Sequence, residues 1–328
     1  MFGELVILYL FLGGTGAGAI AVASLADLLS VREPFGTSAY VQGPAVDPCA
    51  RLVDFGFAAG FVLLIAGTAC LAFDLGRADR VLSLFLSPYP TAMTVGSYAL
   101  AMLLAVSAGL ALVRFMYAPA VRRWMVVAAE WFAVAAAVVV MVYTGVLLST
   151  LGGVPFWRSL VIAPLFAASS AACGLALFVF PSVFMDSEAP LMRFVRRLIA
   201  VDMLIIAVEA VLAGIFLYQG AHDANPGVAA GHLSLTEGAQ ALLWWGGFVL
   251  CGLVIPLLAD IASVAGRVGS RKVVLAAAVL VLAGGLCMRC ALVEAGDHRE
   301  LILSGPAVEC SETSQLPAQD QDGSVQPA

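Results

Sequence analysis

ELVILYLFLGGTGAGAIAVASLADLL, residues 4–29, decides the solvent in which this chain folds. From Leu5 to Ala26 it carries no charged residue. A hydrocarbon core about 30 Å thick is crossed by about 20 apolar residues at ~1.5 Å rise each. One such stretch could be the buried helix of a large soluble core, but it is not alone. Similar runs follow at 51–73, 92–117, 124–149, 159–181, 197–219, 238–261 and 272–294. Composition agrees: 62% of the 328 residues are hydrophobic and 12% are charged, where a soluble surface needs roughly a quarter charged. In lipid, only helices and closed barrels satisfy their own backbone. A barrel would show short alternating strands, and the sequence has long uniform runs. The expected fold is therefore all-α: a polytopic membrane protein of about eight transmembrane helices, arranged as two four-helix bundles over residues 1–294.

Between the runs lie polar, Gly- or Pro-bearing loops, such as 31–50 with Pro34, Gly36, Gly43, Pro44 and Pro48. Residues 295–328 change character, being acidic and rich in Gln, Pro and Ser, and are expected to form a disordered tail. The first run begins with acidic Glu4 and has no basic segment before it, so it is expected to be retained and not cleaved as a signal peptide. Net charge is −6 with a single lysine, Lys272, which excludes a nucleic-acid partner. The lipid bilayer is the partner that the composition demands.

Orientation follows from the basic residues near the helix ends. One side holds Arg32, Arg51, Arg114, Arg122, Arg123, Arg193, Arg196, Arg197, Arg267, Arg271 and Lys272; the other holds Arg77, Arg80, Arg158 and Arg299. Both termini are then expected outside a cytoplasmic (inner) membrane, with Trp244 and Trp245 in the outer aromatic belt.

Short patterns fall in order along this frame. They are YLFLGGTGAG at 9–18, DLGRADR at 74–80, SPYPTAMTVGSY at 87–98, YTGVLL at 143–148, PFW at 155–157, APLF at 163–166, VDMLIIAVEAVLAGIF at 201–216, WWGGFVLCGLVIPLL at 244–258 and LAGGLCMR at 282–289. Together they resemble the NrfD family, to which the membrane subunit of polysulfide reductase belongs, over nearly all of residues 4–294. The resemblance implies an eight-helix subunit that handles menaquinone or ubiquinone without haem. It implies a ferredoxin-like iron–sulfur subunit as partner, and beyond that a Mo/W pterin catalytic subunit, so chemistry on the terminal substrate belongs to another protein. The anchor subunit of dimethyl sulfoxide reductase is similar in role.

A b-type haem inside the membrane needs histidines on helices. His222, His232 and His298 all fall in loops or the tail of the predicted layout. Cys287 and Cys290 form one CxxC, short of the four thiolates an iron–sulfur cluster takes. Among the seven cysteines most lie in apolar runs as small hydrophobes, and no metal site of its own is expected. TGAGA at 15–19 suits close helix packing, having no strand before it to make a phosphate loop.

Two roles stay open for most candidate residues. Tyr143 is a belt tyrosine by position; the resemblance makes its phenol a donor to a quinone carbonyl. Tyr9 stands near where the polysulfide reductase relative has a quinone-contacting histidine. A phenol can donate there but does not titrate near neutrality. Glu4 is a further quinone-side candidate, or simply a helix-start charge. Asp74 and Arg77, three apart, can pair as a loop clamp beside the quinone site. The family usually has proline after this DLGR, where this sequence has Ala78. Ionisable residues inside spans are functional by default: Glu130, Asp202, Glu209 and Arg289. Asp202 and Glu209 share a helix face about 10 Å apart along the axis, as part of a proton path, or Glu209 pairs with Arg289 to lock two helices. A secondary transporter is the rival of another class, with Pro164 and Pro256 as candidate helix breaks. An anchor with no quinone site is the other rival.

Overall fold

The computed structural model describes residues 4–30, 48–75, 92–115, 121–150, 154–185, 189–265 and 271–297. The tail expected over 295–328 lies outside them beyond Asp297, as do Arg77 and His298. Within the described residues the backbone is overwhelmingly helical, as a protein that must satisfy its own amides in lipid requires. Eight helices are long and apolar enough to cross a bilayer. They are α1 (Glu4–Ser30), α2 (Pro48–Leu75), α3 (Ala92–Phe115), α4 (Arg123–Thr150), α5 (Ile162–Val179), α6 (Ala189–His222), α8 (Leu242–Val264) and α9 (Arg271–Asp297). A shorter α7, Pro226–Thr236, sits between α6 and α8.

Contacts between small residues fix the directions. Gly16 of α1 lies against Gly60 and Leu64 of α2, while Gly56 meets Ala23, so α1 and α2 are antiparallel. Gly14 and Gly18 of α1 meet Ser170 and Gly174 of α5, which makes that pair parallel. Gly247 and Gly252 of α8 meet Cys287 and Gly284 of α9 in antiparallel order. α1–α4 pack on one another as a first group; α5 packs on α1 and α4 of that group as well as on α6 and α9. Without a hydrophobic difference between lipid and protein, such joints depend on close van der Waals approach. A Cβ on Gly174 would overlap the backbone of Gly18 and Ala19, so TGAGA acts here as a packing surface.

Three departures from the expected layout have physical causes. α6 begins at Ala189, before the expected 197, because Arg193, Arg196 and Arg197 extend the helix with polar residues that hydropathy discounts; Arg196 donates to Val264 O at the end of α8. α7 occupies an expected loop: Asn225 caps it, accepting from Gly227 N at 2.9 Å, and Pro226 takes the first turn, where no N–H is needed. Trp244 is not in an aromatic belt. It is fully enclosed among Phe216 and Phe248, while the next residue, Trp245, is half exposed and donates to Thr236 O at 3.1 Å. In α8 the backbone is wound as a π-helix over Leu242–Val254 and becomes α-helical at Ile255, just ahead of Pro256, which has no N–H to give.

Candidate functional site

α1 and α4 bring two tyrosines to one end of the first group. Tyr9 is 1% exposed and Tyr143 8% exposed. The Tyr143 ring lies flat against Gly96 of α3, where any side chain would overlap it; the glycine of the SPYPTAMTVGSY motif thus makes room for the phenol of the YTG motif. The two phenols approach each other across the α1–α4 contact. Beyond the phenol of Tyr143, Tyr9 Oη has no hydrogen-bond partner among the described residues. Two phenols side by side donate one hydrogen bond to each other at most, so the pair keeps a donor suited to a ligand's oxygen. Glu4 is the first residue of α1, but its side chain is outside the described part of the structure. Asp74 stands exposed near the end of α2; its proposed partner Arg77 is outside the described residues.

Directly behind Tyr9, α9 grips α1 through Arg289. This guanidinium is fully enclosed. Nε donates to Leu10 O at 3.2 Å, Nη1 to Ser169 Oγ at 3.3 Å and Gly285 O at 2.8 Å, and Nη2 to Ser170 Oγ at 2.8 Å. The rings of Phe11 and Phe166 lie 5.6 and 5.4 Å from its carbon, within cation–π range. A Cβ on Gly14 would meet Ser170 Oγ and Arg289 Nη2, and one on Gly285 would meet Arg289 Nη1. Gly14 and Gly285 therefore leave room first for Ser170 Oγ and Cys173 Sγ, with the guanidinium beside them.

Glu209 of α6 is buried and reaches Arg289 through Ser169, which neighbours both. Farther along α6, Asp202 faces Asp260 of α8. Asp202 Oδ1 and Asp260 Oδ2 have no hydrogen-bond partner among the described residues. The line Arg289–Ser169–Glu209, then Asp202–Asp260, runs from the tyrosine end toward the other. Glu130 is elsewhere: fully buried on α4, it meets Arg114.

Sequence reasoning did not single out Asp27, Asp54 and Asp260, and it took Arg114 only as a basic residue near a helix end. All four lie inside the predicted spans, so the presumption that an ionisable residue in a span is functional would have found them. Cys287 and Cys290 are half buried and unlinked, with Cys287 against Gly247.

The model of the family described as "Polysulphide reductase, NrfD" matches residues 1–299. The protein is also similar to the C subunit of polysulfide reductase from Wolinella succinogenes, at 30% identity over 158 residues. That match takes in 47% of this sequence and spans about half, 49%, of the relative's length.

Proposed function

The chain belongs to the NrfD family, and from that premise we propose that it is the quinone-handling membrane subunit of a respiratory reductase complex. Menaquinol or ubiquinol binds at the tyrosine end. Its two electrons go to a ferredoxin-like iron–sulfur subunit docked there, and its two protons leave to the adjacent water; the reverse flow reduces the quinone. A Mo/W pterin subunit beyond the iron–sulfur protein acts on the terminal substrate. The similarity to a subunit of polysulfide reductase supports the multisubunit setting.

The observation that carries the reading is the buried Tyr9–Tyr143 pair, in which Tyr9 Oη has no partner among the described residues besides the phenol of Tyr143. A quinone carbonyl accepts from two such donors. Held between them, it keeps one orientation and lies near the membrane edge, short of the outer water. Asp74, at the end of α2, borders the same face. Arg289 fixes the first turns of α1 from behind, with Glu209 as its counter-charge through Ser169. That arrangement favours helix pairing over proton transfer as the main duty of Glu209.

The tyrosine end faces outward, as do both termini, because the basic residues gather at the other end. Arg114 leaves that count, since it is buried among carboxylates; the remaining ten against four keep the same sense.

Quenching of a fluorescent quinol analogue on the purified complex tests the proposal. Tyr143→Phe and Tyr9→Phe should each weaken binding roughly fivefold to thirtyfold, for one lost hydrogen bond of about 1–2 kcal/mol. Unchanged binding in both variants, with the complex intact, would leave a purely structural anchor. Substrate-dependent flux through liposomes holding this subunit alone would favour a transporter.

A further inference from the structure

At the end of the first group opposite the tyrosines, four helices bring ionisable side chains to one point. Arg114 of α3 is at the centre, 1% exposed. Its Nη1 donates to Asp54 Oδ1 of α2 at 2.8 Å; its Nη2 lies 2.7 Å from Asp27 Oδ2 of α1 and 3.3 Å from Glu130 Oε1 of α4. Arg123 of α4 stands 4.0 Å from the same Asp27 oxygen, and Phe57 covers the guanidinium with its ring centroid at 4.6 Å. Among the described residues, these contacts set three carboxyl groups against two guanidinium groups.

The count leaves one carboxyl over, and the geometry says which. Asp27 and Glu130 converge on a single nitrogen of Arg114, so they are neighbours and compete for one positive charge. Asp54 has Nη1 and is 23% exposed; Asp27 has Arg123 as well and is 14% exposed. Glu130 is 0% exposed and holds the longest of the three Arg114 contacts; Asp27 Oδ2 and Glu130 Oε2 both make no hydrogen bond among the described residues, so burial and distance single out Glu130. An uncompensated buried charge costs several kcal/mol, and two carboxylates at one site favour keeping a proton.

We infer that this cluster is a proton-binding site in which Glu130 holds an exchangeable proton directed at Asp27, leaving two carboxylates balanced by two guanidinium groups. Glu130 precedes Tyr143 by thirteen residues on α4, about 20 Å along the axis. Asp27 follows Tyr9 by eighteen on α1, about 27 Å. The proton is therefore held across most of the membrane from the tyrosine pair. Ser24, less than a turn from Asp27, is fully buried with its hydroxyl unpartnered among the described residues, a further polar group on the same inner face. The site stands on its own contacts and does not require the quinone proposal.

Infrared spectroscopy of the purified protein in lipid tests it without any quinone. At neutral pH the native protein should show the C=O stretch of buried carboxylic acids, with one component, apart from that of the Asp202–Asp260 pair, that shifts on transfer to deuterated water and is missing from the Glu130→Gln spectrum. Glu130→Gln should also keep its thermal stability, because a neutral amide replaces a neutral acid of the same shape. Asp54→Asn should lose stability, because it strips Arg114 of a true counter-charge. A carboxylic spectrum left unchanged by Glu130→Gln overturns the inference. So does a Glu130→Gln protein that is destabilised as much as Asp54→Asn or fails to assemble, since that is the behaviour of an ionised partner.

Discussion

Replacing Arg289 by methionine separates packing from charge at the joint behind Tyr9. Methionine keeps much of the volume and the contact with Phe11 and Phe166, but removes four hydrogen bonds and a buried charge. The bonds alone are a modest loss. Leu10 O and Gly285 O are helix carbonyls with backbone donors of their own, and Ser169 and Ser170 can turn back onto their own helix. At the ~0.6 kcal/mol average for side-chain hydrogen bonds between membrane helices, the four amount to about 2 kcal/mol. The larger consequence is Glu209, left buried without its counter-charge, at about 3–5 kcal/mol. Arg289→Met should therefore cost about 5–7 kcal/mol in reversible unfolding from mixed micelles, combining both effects. Adding Glu209→Gln should recover at least about 2 kcal/mol of it, a coupling typical of residues in one network. Strictly additive single and double variants would show that Glu209 and Arg289 do not act on each other through Ser169. The helix-pairing role would then fail.

Gly96→Ala places a methyl group in the Tyr143 ring; it should weaken quinol-analogue binding at least tenfold while unfolding shifts by less than about 2 kcal/mol, because α3 can move at its end. Gly174→Ala drives a methyl into the α1 backbone and should cost about 1–3 kcal/mol, measured by unfolding, with Gly214→Ala, which meets nothing within 4 Å, as the neutral control. Arg114→Met should destabilise by about 3–5 kcal/mol, as removal of one partner from a buried ion cluster does. Arg123→Gln, whose contact is 4.0 Å and partly exposed, should cost under about 1 kcal/mol. Equal effects from the two arginines would contradict the burial that distinguishes them.

The eight spans were legible because each is a predominantly apolar run, with few charged residues, long enough for a bilayer. What lies at their ends was not. α6 runs past its apolar run on arginine-bearing turns, and α7 is too short and too polar to register, although Asn225–Pro226 is a recognisable helix start. Rotation was also hidden. When lipid and interior are equally apolar, a span shows little contrast between its faces, so nothing in WWGG told which tryptophan turns inward; Trp244 and Trp245 are adjacent and lie on different faces of the helix. The glycines announced close packing but not their occupants: Gly14 admits the hydroxyl of Ser170, Gly285 the sulfur of Cys173, both beside a guanidinium, and Gly96 a phenol. Of the candidate residues, Tyr9 and Tyr143 do meet. Glu209 approaches Arg289 through a serine that no periodicity would pick out. Arg114 was hidden by its place near a helix end, where it counted as an orientation signal although three carboxyl groups surround it.

The central claim is that a quinone binds between the first turns of α1 and the facing parts of α3 and α4. Photolabelling with an azidoquinone in native membranes, followed by peptide mapping, tests this most directly. The label should be found within 5–16, 92–98 and 140–148, be competed by unlabelled quinol, and fall in Tyr9→Phe and Tyr143→Phe. Label spread over the lipid-facing sides of the helices, uncompeted and indifferent to both tyrosines, would contradict it.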